Sequence, residues 1–164
     1  MFYKISELSH ERKRIAILLL CLITLNILFI FSQSMLSREA SGAESGAIRA
    51  LLENIFSYDT PLGAFVLNNL RKIAHFVEFA LLGGWVSLYV CFYALDRKKA
   101  VALSPIFGHI IAFTDETIQI FSGRGPAILD VWIDTLGFIT SSVVVYAIFF
   151  CTCKANLEKE IQNG

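Results

Sequence analysis

The sequence predicts an all-α membrane protein, a four-transmembrane-helix bundle with an extracytoplasmic amphipathic helix between the first two spans. Three observations predict it. The 164-residue chain is 55% apolar, with 14 Phe and only 3 Pro, and its mean hydropathy is +0.62, more apolar than a soluble domain of this size. Four long stretches are almost free of charge. Lys and Arg gather unequally at the ends of those stretches, as they do around membrane spans.

A span takes ~20 mainly apolar residues, and four are placed at about 15–35, 73–95, 100–121 and 131–153. Ile15 to Ser37 carries no charge. A basic arm, residues 1–14, precedes it, but no small-x-small cleavage site follows, so the segment reads as a retained span rather than a signal peptide. From Ile73 to Leu95 the only charge is Glu78. Ala100 to Thr114 is charge-free, and apolar character resumes after Asp115–Glu116 as far as Phe121. Thr135 to Cys153 is charge-free again, and residues 154–164 form a tail. Residues 15–153 thus read as one transmembrane domain.

Between the first two spans, Ile48, Leu51, Leu52, Ile55 and Phe56 recur at helical spacing, with Arg49, Glu53 and Asn54 on other faces. That pattern predicts an amphipathic helix over 45–57, lying on the membrane surface. In the SYDTP stretch that follows, Asp59 or Thr60 is placed to cap another helix with Pro61 in its first turn. This helix is expected to run on through Leu70 into the second span.

Orientation follows from the cations. Lys4, Arg12, Lys13, Arg14, Arg97, Lys98, Lys99, Lys154 and Lys159 fall on one side, against Arg38, Arg49, Arg71, Lys72 and Arg124 on the other. The richer side is cytoplasmic. Both termini are therefore expected inside, with 36–72 and 122–130 outside.

Balanced charge, 14 basic against 14 acidic residues, argues against nucleic acid as a partner. Cys21, Cys91, Cys151 and Cys153 fall within the spans and read as small apolar residues. Cys151-x-Cys153 has neither the spacing nor the nearby His of a zinc site. The cysteines thus offer no metal ligand set, and the sequence names no cofactor.

Depth is the informative measure. At 1.5 Å per residue, Glu78, His75 and Arg71 lie ~27, ~32 and ~37 Å above Asp96. Asp115 and Glu116 lie ~23 Å above Ala100, and Gln119 ~28 Å. Counted back from Lys154, Asp134 lies ~30 Å up and Asp130 ~36 Å. All reach one level near the outer face. Arg71, His75 and Glu78 form one helical stripe; Asp115 or Glu116 with Gln119 forms a second; Asp130 and Asp134, with Gly137 a turn on, form a third. Ionisable groups at that depth must face protein or water and find partners. The stripes are expected to face one another around an outward-opening polar pocket, with Arg71, Lys72 and Arg124 neutralising some of the five acids. The plainer alternative is a set of salt bridges that only staple the bundle. His75 is the one group there that titrates near neutral pH. His109 sits near mid-membrane and is expected to pair with a polar group on another helix. The glycines of SGRGP (122–126) leave Arg124 free to swing over the pocket, and its forked guanidinium suits phosphate or carboxylate.

These residues resemble those of a known family. RKIAHFVEFALLG (71–83) is similar to the RKxxH motif of the VanZ-like membrane proteins. DETIQIFSGRGPAILDVWIDTLG (115–137) is similar to their DExxQ…GR…DxxxNxxG signature, with Asp134 where many members carry Asn. FSQS (31–34) resembles their Phe-Ser-Ser-Gln motif in a different order. The resemblance covers nearly all of residues 15–153. It assigns motif positions to Arg71, Lys72, His75, Glu78, Asp115, Glu116, Gln119, Arg124, Asp130, Asp134 and Gly137. It also implies a bacterial cytoplasmic-membrane protein, and the family's namesake is tied to low-level teicoplanin resistance.

Three functions are expected in turn. The first is binding of an anionic lipid headgroup, a cell-wall precursor or a lipophilic glycopeptide, with Arg71, Lys72 and Arg124 on the anion. It would serve antibiotic resistance or the cell envelope. The second is a membrane enzyme acting on lipid-linked substrates. There His75, Glu78, Asp115 and Glu116 are the catalytic candidates, and Asp115, Glu116, Asp130 and Asp134 would hold a divalent cation. The third is a transporter subunit, disfavoured because His109 alone lies near mid-membrane.

Overall fold

Among the described residues the chain forms six helices: α1 (His10–Ser34), α2 (Arg38–Leu52), α3 (Pro61–Asn68), α4 (Leu70–Tyr93), α5 (Arg97–Phe121) and α6 (Ile128–Asn163). The computed structural model describes residues 9–94, 96–123 and 127–163, with the side chains of Arg38, Glu44 and 153–163 left aside. Among the described residues there is no β-sheet.

The four long helices lie on the four predicted spans. α6 begins before residue 131 and continues to Asn163, since KANLEKEIQN contains no Gly or Pro to stop it. Among the described residues, three helices are long and apolar enough to cross a membrane: α1, α4 and α6 over Ile128–Thr152. α5 is as long as α1, 25 residues, but is not among them. It opens on Arg97, Lys98 and Lys99 and closes on Asp115, Glu116 and Gln119. Inside it, Pro105 has no amide to offer the carbonyl of Val101. The hydroxyl of Ser104 donates there instead, at 3.0 Å.

The connecting segment departs from expectation in two ways. The amphipathic helix spans Arg38–Leu52 rather than 45–57. Its start is set by Ser37, whose hydroxyl accepts from the Ala40 amide at 3.2 Å, a cap that apolar spacing does not reveal. Of the two expected caps, Asp59 and Thr60, it is Thr60 that caps α3, accepting from the Gly63 amide at 3.1 Å, with Pro61 in the first turn. However, α3 does not run on into α4. Asn69 leaves the helical region at φ −114°, ψ 17°, and its side-chain amide donates to the Phe65 carbonyl at 2.9 Å, competing with the helix for that acceptor.

Helix directions alternate. The Tyr93 hydroxyl at the end of α4 donates to the Arg12 carbonyl at the start of α1, 3.0 Å away. The Ser122 hydroxyl after α5 donates to the Ser34 carbonyl at the end of α1, at 2.8 Å. α1 and α5 thus run one way, α4 and α6 the other. One core cluster is Ile30, Phe79, Leu82, Ala112, Val131 and Phe138, and two smaller ones form around Tyr146 and Tyr93.

α4 and α6 meet backbone to backbone. A methyl on Gly137 would sit 2.3 Å from the Phe76 carbonyl oxygen, and one on Gly83 would sit 2.3 Å from that of Phe138. Small residues at such seams let membrane helices approach closely. On the outward faces, Thr24, Thr114, Thr117, Thr140 and Thr152 each return their hydroxyl to the carbonyl four residues back. A polar side chain satisfied within its own helix suits a surface that faces hydrocarbon.

Candidate functional site

The α4–α6 seam fixes the site. Gly137 lies one turn after Asp134, and its neighbour across the seam, Phe76, follows His75 directly. Close approach there brings His75 and Asp134 together: His75 Nδ1 is 3.8 Å from Asp134 Oδ1 and 3.8 Å from Asp115 Oδ2. One ligand atom from each of the three residues lies within 4.8 Å of the others. Asp115 and Asp134 are 0% exposed.

Asp115 is oriented by two neutral donors. The Ser34 hydroxyl donates to its Oδ1 in a short hydrogen bond, and Gln119 Nε2 donates to its Oδ2 at 2.8 Å. Gln119 Oε1 accepts from Arg71 Nη2 at 2.7 Å. The direct ion pair expected of Arg71 is replaced by this relay, in which an amide carries the guanidinium's influence to a buried carboxylate. Asp134 is different. Neither of its oxygens has a hydrogen-bond partner among the described residues, and Asp115, Asp130, Glu116 and Glu78 are its acidic neighbours.

Two clefts open beside the cluster, and both include Arg71 and His75. The larger, about 240 Å³, is framed by Asn68, Asn69, Lys72, Asp130 and Asp134. The smaller, about 100 Å³, takes in Gln33 from α1 and Ser41, Ser45 and Ile48 from α2. Arg71 and Lys72 are exposed at these mouths.

Not every predicted residue joins the cluster. Glu116 is 6% exposed, and its Oε1 accepts from the Ala127 amide at 2.5 Å. There it ties the loop to the start of α6, where a carboxylate complements the helix dipole. Glu78 is half-buried on the same stripe as His75 but is not part of the three-residue group. Arg124 lies outside the described residues. His109 bonds across helices as expected, its Nδ1 3.0 Å from Thr135 Oγ1. Of FSQS, Ser34 does the work: it is fully buried on Asp115, whereas the Ser32 hydroxyl bonds the Phe29 carbonyl.

Sequence reasoning passed over Ser34, Asn68 and Asn69. The signals for Ser34 were its place at the end of the first span and in the FSQS stretch, neither of which assigned it a partner. Asn68 and Asn69 stand just ahead of the Arg71–Lys72 pair.

A family model described as VanZ/LLP1 matches residues 15–150. No curated protein and no solved structure matches the chain.

Proposed function

The chain belongs to the VanZ/LLP1 family, and from that membership we propose a multi-pass protein of the bacterial cytoplasmic membrane that binds a phosphate-bearing lipid headgroup in the cleft beside Arg71. α5 is the fourth span in this reading. Its outward face carries Leu103, Ile106, Ile110 and Phe113, all more than half exposed, and its charges sit only at its two ends. The distribution of Lys and Arg then puts both termini in the cytoplasm and the cleft at the outer leaflet.

The observation that carries the reading is the pairing of exposed Arg71 and Lys72 with the side-chain amides of Asn68 and Asn69 around one cleft. Cations and amide donors in a part-desolvated recess suit phosphate oxygens. Size decides among the ligands. A cleft of about 240 Å³ is below the usual span of ~300–1,000 Å³ for drug-sized ligands. It suits a headgroup better than a whole glycopeptide. Capture of a lipid-linked cell-wall precursor by its phosphate would be the route to envelope homeostasis or teicoplanin tolerance.

The test is binding in phosphatidylcholine nanodiscs doped with phosphatidylglycerol or, separately, with a polyprenyl diphosphate. Wild type should prefer one or both over undoped discs, and the arm that wins identifies the source of the phosphate. Arg71→Gln should weaken binding about 10–100-fold, the worth of one charge-assisted hydrogen bond. Equal binding by wild type and an Arg71→Gln/Lys72→Gln double variant would sink the reading.

A further inference from the structure

We propose that His75, Asp115 and Asp134 form a binding site for a borderline divalent cation, of the zinc or manganese(II) kind. Three observations carry this. The first is the ligand set: one imidazole nitrogen and two carboxylates whose ligand atoms gather within 4.8 Å. The second is spacing. An N···O distance of 3.8 Å is too long for a hydrogen bond. It approaches the separation of two ligands on one tetrahedral cation, roughly 3.4 Å for bonds of about 2.1 Å.

The third is Asp134 itself. It is 0% exposed, and both its oxygens lack a hydrogen-bond partner among the described residues. A buried carboxylate left so carries a desolvation penalty of several kcal/mol. A structure in which Asp115 is served by Ser34 and Gln119 has the means to serve Asp134 as well. A cation between the three side chains supplies what Asp134 lacks.

The chemistry of the set selects the ion. Imidazole with carboxylates suits zinc, manganese and their neighbours, whereas magnesium and calcium favour oxygen ligands alone. No thiolate is present to draw copper(I). Ser34 and Gln119 hold Asp115 as outer partners hold a metal-bound carboxylate. Three protein ligands leave coordination positions open, and both His75 and Asp134 line the 240 Å³ cleft. A phosphate oxygen in that cleft would find an open position beside Arg71. The two negative charges of the aspartates balance one divalent ion.

The metal site rests on side-chain geometry and stands apart from the headgroup reading, so its test excludes anionic lipid. The full chain is reconstituted in phosphatidylcholine nanodiscs, stripped with chelator and titrated with Zn²⁺, Mn²⁺ and Mg²⁺. Bound metal is counted by mass spectrometry and stability is followed by thermal unfolding. Wild type should take up about one equivalent of Zn²⁺ or Mn²⁺ and unfold at a higher temperature with it. Asp134→Asn, near in shape, should lose both effects, with at least a tenfold loss of affinity, as should His75→Gln. Tyr146→Phe, at the far end of the bundle, should keep both. Uptake by Asp134→Asn equal to wild type would overturn the assignment. So would wild type that takes up Mg²⁺ alone, or no ion at all. Should either variant fail to fold, the other decides the matter, with Asp115→Asn, which should lose both effects too, as a third.

Discussion

The two ends of the bundle bury polar groups in different ways. At one end the groups are neutral hydroxyls, and all but that of Ser87 have a partner among the described residues. Tyr146 donates to Ser104, Ser104 to the Val101 carbonyl, and Tyr93 to the Arg12 carbonyl. At the other end they are carboxylates and an imidazole, and satisfaction is uneven. Among the described residues, Ser34 and Gln119 donate to Asp115, the Ala127 amide donates to one of the two oxygens of Glu116, and neither oxygen of Asp134 has a hydrogen-bond partner. Hydroxyl pairs are enough to hold helices together. Fully buried carboxylates are a costly way to do the same thing.

The largest effect expected is from Gly137→Val. A side chain there meets the Phe76 backbone at 2.3 Å, and backbone cannot swing aside. Stability should fall by about 3 kcal/mol, and the carboxylate end should lose its ligands while the hydroxyl end stays formed. Thermal unfolding combined with cation titration reads both. If cation binding survives, the seam does not set the site.

Next comes Asp134→Asn in the presence of chelator. Without a cation, the Asp134 carboxyl group, buried beside four other acids, is a burden, and its replacement should stabilise the protein by about 1–3 kcal/mol. With Zn²⁺ or Mn²⁺ the order should reverse. A variant less stable than wild type under chelator would mean that Asp134 has a protein partner, and the contrast between the ends would weaken.

The smallest effect should come from Tyr146→Phe. It removes one neutral hydrogen bond, worth about 1 kcal/mol, because Ser104 keeps its bond to Val101. Headgroup affinity should not move. A loss of headgroup binding would show that the two ends are coupled.

The sequence made the long helices and the level of the polar groups legible. Charge-free runs mark helices in a membrane protein, and a fixed rise per residue converts position to depth. Rotation was harder. Asp115 and Glu116 share a depth, yet one faces His75 and the other the Ala127 amide. Adjacent residues point about 100° apart on a helix, and which of them faces the cluster depends on how α5 packs against its neighbours. That packing runs through Gly108, where a Cβ would lie 2.5 Å from the Phe138 ring. Ser34 was hidden because a hydroxyl at the end of an apolar run carries no charge signal. The Arg71 relay was hidden because Gln119 read as one more polar residue on a stripe, not as the link between a cation and an acid. The first half of α2, REASGA, was missed because its start comes from a cap and from Ala and Glu propensity, not from apolar spacing.

The seam between α4 and α6 has one more consequence. Side-chain packing can settle into alternative rotamers as temperature or bilayer thickness changes. Where backbone rests on backbone, as at Gly137 and Gly83, there are no rotamers to redistribute. The separation of the main chains that carry His75 and Asp134 is therefore set by the van der Waals radii of backbone atoms, a length that does not drift with the surroundings. The protein carries its own gauge block.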